Sequence, residues 1–144
     1  MLKTLIAASL ATLLSTTIAS AETFEVKMLN KGTDGAKVFE PAFVKAAVGD
    51  TITFLAIDKG HNIESIKGML PDGIEPFKSK MSEDFSLELT TEGIIGIKCT
   101  PHYAMGMVAL IQVGAPVNLA TVTAVELKGK AKTRLEPLIA QIVQ

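Results

Sequence analysis

The amino-acid sequence predicts an all-β sandwich or barrel that ends in two helical segments, and three observations carry that reading. Between residues 24 and 113, apolar residues alternate with polar ones at period two or run as short apolar stretches of strand length. Turn signals recur at short intervals, at Lys31-Gly32, Asp34-Gly35, Lys59-Gly60, Pro71-Asp72-Gly73, Glu92-Gly93 and Val113-Gly114. After Pro116 the apolar spacing changes to that of helices. No internal repeat or low-complexity tract interrupts the pattern, and 144 residues suit one domain.

The N-terminus stands apart from the rest. Lys3 gives a positive start, Leu5 to Leu14 is uncharged and mostly apolar, and Ala19-Ser20-Ala21 is the small-x-small pattern that signal peptidase cuts. An apolar core of about ten residues is too short for a bilayer span, which needs roughly 20. Residues 1–21 therefore read as a signal peptide cleaved before Glu22, not as a membrane anchor, and residues 22–144 as the domain.

The first strand puts Phe24, Val26 and Met28 on one face and Glu25 and Lys27 on the other. Ala36 to Phe39 and Phe43 to Ala46 are short extended segments around Pro41, which marks a break or a sheet edge. Thr51-Ile52-Thr53-Phe54-Leu55 is rich in β-branched and aromatic residues, and Phe85, Leu87 and Leu89 alternate with Ser86, Glu88 and Thr90. Ile94 to Cys99 and Met107 to Val113 follow, the second almost wholly apolar and so suited to a central strand. Several short strands at such spacing suggest an antiparallel sandwich or barrel.

Beyond Pro116, Leu119, Val122, Val125 and Leu127 lie at near-helical spacing within Asn118 to Leu127. Leu135, Leu138, Ile139 and Ile142 form the i, i+3, i+4, i+7 stripe of an amphipathic helix. Thr133 is expected to cap that helix, with Glu136 completing a capping box and Pro137 at the edge of the first turn. Both segments read as a lid on the sandwich.

Charge narrows the function. Loss of Lys3 leaves 13 Lys+Arg against 15 Asp+Glu, a net charge of −2, which is not a nucleic-acid binder's balance. Cysteine usage narrows it further. Exported proteins meet an oxidising compartment where cysteines pair, yet this chain has one, Cys99. An inert core thiol is one account of it and a metal ligand another.

The chain also has only two histidines, and His102 follows Cys99 by three positions. Met107 follows five later in the segment Cys99-Thr100-Pro101-His102-Tyr103-Ala104-Met105-Gly106-Met107, a short loop between two apolar strands. His61 comes from a different strand end, after Lys59-Gly60. Two imidazoles, one thiolate and a weak, distant thioether make the blue-copper electron-transfer set. Zinc prefers four good N, S or O donors, and a thioether is a poor one. A Cys/His catalytic dyad lacks a third group to orient the base. From spacing alone, Met105 and Met107 are both open as the thioether.

The loop Cys-x-x-His-x4-Met resembles the ligand loop of the cupredoxins, the type 1 blue-copper proteins, and is most similar to that of the pseudoazurins. Further segments carry the likeness: Phe24 to Gly32, Val38-Phe39-Glu40-Pro41, Asp58-Lys59-Gly60-His61-Asn62, Ile66-Lys67-Gly68, Phe77-Lys78-Ser79-Lys80 and Lys98-Cys99-Thr100-Pro101-His102-Tyr103. It covers nearly all of residues 22–114 and extends more loosely through the helices. The resemblance implies an eight-stranded Greek-key sandwich with two C-terminal helices, and one mononuclear copper held by His61, Cys99, His102 and, at longer range, Met107. It favours Met107 over Met105 as the axial ligand. It also implies that Asn62 braces the ligand loops, that Pro101 keeps one face of the site dry, and that lysines ring an apolar patch at His102. Pro137 departs from what it implies for the last helix.

Lys59 and Lys98 lie beside ligand positions, and the resemblance brings Lys31 and Lys78 to the same end; Lys80 is weighed with them. Such a face steers encounter with acidic partners, and salt weakens the steering. The expected function is a monomeric, soluble periplasmic shuttle. It takes one electron from a c-type cytochrome and passes it to a terminal reductase, for which the resemblance points to copper nitrite reductase in denitrification. A copper chaperone would need a tract of exchangeable soft ligands, and a metal-free adhesive sandwich would not need Cys99. An enzyme is not expected, because the protein fills the usual copper positions and leaves none for a substrate.

Overall fold

The computed structural model describes residues 20–142. The signal peptide expected at residues 1–21 lies, but for its last two residues, outside them. No helix among the described residues is long and apolar enough to cross a membrane.

Eight strands are found among the described residues: β1 (Thr23–Gly32), β2 (Gly35–Glu40), β3 (Phe43–Ala46), β4 (Thr51–Leu55), β5 (Glu64–Ser65), β6 (Phe85–Glu88), β7 (Gly93–Lys98) and β8 (Val108–Val113). Two helices follow, α1 (Leu119–Thr123) and α2 (Gly129–Ile139). The strands form two four-stranded sheets, ordered β2-β1-β4-β6 and β3-β8-β7-β5. This is the Greek-key sandwich with two C-terminal helices that the resemblance implied. Pairing is mixed where antiparallel pairing was expected. β1 runs parallel to β4, and β3 parallel to β8, because the chain leaves the first sheet after β2 and returns to it with β4. Pro41 stands at that departure, between two strands that each lie at a sheet edge.

β8 is central, between β3 and β7, and every one of its residues is buried. The two faces of the second sheet explain its composition. Ala109, Ile111 and Val113 point into the sandwich core with Val26, Met28 and Phe54, while Val108 and Leu110 face the helices with Leu135 and Leu138. A strand covered on both sides has no solvent face to mark with polar residues. Gly96 of β7 is required by close approach, since a Cβ there would meet Met69 Sδ at 2.6 Å.

The last helix differs from its expectation. It begins at Gly129, one turn before Thr133, and Lys128 is its extended N-cap residue. Thr133 is no cap; its hydroxyl donates to Gly129 O at 3.3 Å, inside the helix. Ala131, Leu135 and Leu138 are buried against β8, so tertiary burial extends the apolar stripe backwards past the local capping signal. Pro137 falls in the last turn, where it removes one N–H; Ala140 N–H donates to Glu136 O at 3.0 Å beyond it. In α1 only Val122 is buried, and Val125 and Leu127 pack onto the same cluster from the connecting segment. Asn118 leaves α1 uncapped because its side chain pairs with the Ile94 backbone instead, at 2.7 and 2.9 Å.

Candidate metal centre

At one end of the sandwich three chain segments meet. Cys99 directly follows β7, Thr100–Met105 forms a short 3-10 helix, and Met107 precedes β8. His61 arrives from the loop after β4. The loop closes on itself through its backbone: His102 N–H donates to Cys99 O at 3.2 Å, Met107 N–H to His102 O at 3.1 Å, and Cys99 N–H to Met107 O at 3.0 Å. Gly106 takes φ +81° at the end of the 3-10 helix, which turns Met107 back towards Cys99.

These segments bring His61, Cys99 and His102 together, 41 residues apart at the extremes. The Cys99 sulfur lies 3.4 Å from His102 Nδ1 and 3.8 Å from His61 Nδ1, and the two nitrogens are 3.1 Å apart. Trigonal coordination with bonds of about 2.0–2.3 Å spaces donors roughly 3.4–3.8 Å apart, so one ion fits with small adjustment. His61 and Cys99 are fully buried and His102 is partly exposed. Met107 is buried in the same cluster as Cys99, whereas Met105 is exposed.

Protonation suits a metal. Burial pushes the His61 imidazole below its usual pKa, with His102 and Lys37 adding to the effect against an opposing Asp58. Burial, then Lys37, does the same for His102. Both rings are therefore neutral near pH 7 and offer lone pairs. Burial also raises the Cys99 thiol, against hydrogen bonds from the Asn62 and His102 backbone N–H groups. A metal must displace that proton, and a soft ion does so best.

Support for His61 and the Cys99–Met107 loop comes from residues that spacing did not single out. Asn30 Oδ1, on β1, lies 3.0 Å from His61 Nε2 and 2.6 Å from Lys37 Nζ. The ring thus donates its Nε2–H outwards and turns Nδ1 towards Cys99. Asn62 was expected to brace the loops and does so reciprocally: its Oδ1 accepts from Thr100 N–H and its Nδ2 donates to Thr100 Oγ1, both at 2.9 Å. The Thr100 hydroxyl donates in turn to Glu64 Oε2 at 2.6 Å. That bond, followed by Lys98 and Lys78, holds the Glu64 carboxyl below the usual carboxylate range.

The surface at this end is mixed. Pro101, Ala104 and Met105, on the same loop as His102, are exposed. Lys31, Lys59, Lys78 and Lys80 are exposed too. Glu64 shares its carboxylate between Lys78 at 3.7 Å and Lys98 at 3.8 Å, so these two are not independent free cations. Lys98 also sits 5.2 Å above the Tyr103 ring.

Residues 26–114 match the family model described as copper binding proteins, plastocyanin/azurin family. A pseudoazurin of Paracoccus pantotrophus is 53% identical over 85% of this chain and 85% of its own length. One from Methylorubrum extorquens is 47% identical over 94% of this chain and 93% of its own. The crystal structure of native pseudoazurin from Hyphomicrobium denitrificans superposes with a TM-score of 0.81 at 44% identity, over 85% of this chain and 99% of that one. With fold, donor cluster and sequence in agreement along the whole sandwich, the chain belongs to the plastocyanin/azurin family of copper-binding proteins and, within it, to the pseudoazurins.

Proposed function

We propose that this chain is a periplasmic electron carrier holding one type 1 copper ion through His61, Cys99, His102 and, at longer range, Met107. The observation that carries the reading is the convergence of one sulfur and two imidazole nitrogens within 4.8 Å of one another, with no carboxylate in the group. When bound, copper would supply a one-electron couple between Cu(I) and Cu(II). The residues do the rest. The sandwich and its backbone hydrogen bonds keep the donors in one arrangement, so little reorganisation accompanies electron transfer. Burial of His61, Cys99 and Met107 excludes water, and the partly exposed edge of His102 offers the electron a way out. Met107 would be the thioether that helps hold the ion, because it is buried with Cys99 while Met105 faces solvent. The same contrast disfavours a copper chaperone, whose soft ligands would be exchangeable as a tract.

The partners proposed are proteins with acidic docking patches, a c-type cytochrome as donor and copper nitrite reductase as acceptor. The exposed Lys31, Lys59, Lys78 and Lys80 would ring a small apolar centre of Pro101, Ala104 and Met105 and steer such a partner, and that centre would allow brief contact and quick release. Export with cleavage before Glu22 would deliver the domain of residues 22–144 as a monomer to the periplasm.

Stoichiometric Cu(II) should turn the metal-free protein strongly blue, and reductant should bleach it. Cys99→Ser should stay colourless, Met107→Leu should keep the colour with an altered spectrum, and Met105→Leu should match the wild type. A wild type that takes up Cu(II) without colour would overturn the reading. Stopped-flow oxidation by nitrite reductase, slowing as salt rises, tests the partner.

A further inference from the structure

We propose that Arg134 is a positioning residue for the metal centre, its guanidinium tying α2 to the ligand loop and to the support of His61 at once. The proposal rests on the metal-binding reading above and adds a residue to it. Arg134 is the only arginine among the chain's 14 Lys+Arg. Its Nη1 donates to Gly106 O at 3.0 Å and to Lys37 O at 2.8 Å, and its Nη2 donates to Ala36 O at 3.0 Å and more weakly to Asp34 O at 3.5 Å. These carbonyls belong to two separate segments, the turn between β1 and β2 with the start of β2, and the ligand loop. A lysine is a single point of charge, whereas a planar fork can serve acceptors arriving from both sides.

Each arm leads to a ligand. Gly106 immediately precedes Met107, and its approach to α2 is close: a Cβ there would meet Lys130 O at 2.9 Å and Arg134 Cδ at 3.0 Å. Fixing the Gly106 carbonyl therefore fixes the peptide from which Met107 turns back to Cys99. On the other arm, Lys37 takes φ +54°, a conformation uncommon for a residue with a side chain. Its Nζ donates to Asn30 Oδ1, which also accepts from His61 Nε2. Holding the Lys37 carbonyl holds the residue that sets the position of Asn30. One side chain on the last helix thus restrains Met107 through Gly106 and His61 through Lys37 and Asn30.

The test compares Arg134→Gln, Arg134→Lys and, as a control for loosening the helix without touching the clamp, Leu135→Ala. Leu135, on α2 itself, is fully buried. Amide hydrogen exchange is measured residue by residue in the metal-free proteins. Loss of the clamp should speed exchange at Gly106 and Met107 by roughly tenfold more than at the strand amides of β7 and β8, from the loss of charge-assisted hydrogen bonds. Arg134→Lys should fall between wild type and Arg134→Gln, and serves if the latter does not fold. Leu135→Ala should speed the loop and strand amides alike. In the copper-loaded proteins, visible and EPR spectra should shift in Arg134→Gln and not in Leu135→Ala. Equal factors at the loop and strand amides of Arg134→Gln would overturn the proposal, as would a copper-loaded Arg134→Gln whose spectra match the wild type. The metal-free arm decides it whether or not the wild type turns blue, whereas a colourless wild type counts against the functional reading alone.

Discussion

His61 Nε2 lies 3.0 Å from Asn30 Oδ1, so the most deeply buried imidazole of the site is oriented by a side chain of the first strand. That bond selects the tautomer in which Nδ1 is free to bind a metal. Asn30→Ala removes the acceptor and leaves the ring free to swing and its Nε2–H unpaired. Copper affinity should fall by about 10–100-fold, the usual cost of losing an outer hydrogen bond to a metal ligand. Competition against a chelator of known affinity measures it, and an unchanged dissociation constant would show that packing alone holds the ring.

Asn62 makes a second prediction. Its amide is fully buried and spans the gap between the His61 loop and Thr100 with two bonds of 2.9 Å. Asn62→Ala should destabilise the metal-free protein by about 1–3 kcal/mol, because Thr100 N–H loses its acceptor and a void is left. Urea denaturation reads the change. The same midpoint in wild type and variant would mean that water replaces the amide at no cost.

Much of this centre is legible in the sequence because a metal site needs rare residue types. Two histidines and one cysteine in 144 residues leave few combinations, and Cys99 and His102 share a loop. The strands are legible where one face is wet, as in β1 with Glu25 and Lys27 outward. β5 is not, since Glu64 and Ser65 form only two residues of strand and carry no periodicity. Asn30 and Glu64 are invisible for a different reason. Each is a common polar residue whose role comes from a partner more than 30 positions away. The start of α2 was misplaced because Thr133 and Glu136 imitate a capping box, while burial of Ala131 decided the matter. Arg134 did leave a signal, as a lone arginine among lysines.

Acid and alkali should both weaken the metal-free protein. His61 and His102 have folded pKa values below their ordinary 6.5, chiefly through burial. The unfolded chain therefore takes up protons first as pH falls. Their contribution to stability is complete above about pH 6.5 and is lost as pH drops through the lower folded values. Cys99 is displaced the other way, above its ordinary 9.0, again chiefly by burial. Its contribution is complete below about pH 9 and is lost as pH rises towards the folded value. Denaturation midpoints between pH 5 and 10 should trace a dome, and Cys99→Ser should flatten its alkaline side relative to wild type. A variant whose alkaline limb overlays the wild type's would assign that limb to other groups.

Glu64 is the negative charge set among the lysines of the proposed docking face, and it governs how strongly they act at a distance. Its carboxylate lies 3.7 Å from Lys78 and 3.8 Å from Lys98 and is held ionised by the Thr100 hydroxyl and both lysines. Glu64→Gln removes one negative charge while an amide oxygen can still accept from Thr100, so the metal site should keep its spectrum. The face then gains a full positive charge in its neighbourhood. Association with an acidic partner should speed by roughly two- to threefold at low ionic strength, because steering scales with the field at the contact face. The gain should vanish as the screening length shortens to a few ångströms near 1 M salt. Stopped-flow rates for both proteins across that range decide it. A ratio that stays constant with salt would place the effect in the contact itself, and a ratio of one throughout would remove Glu64, with its two lysines, from the docking face.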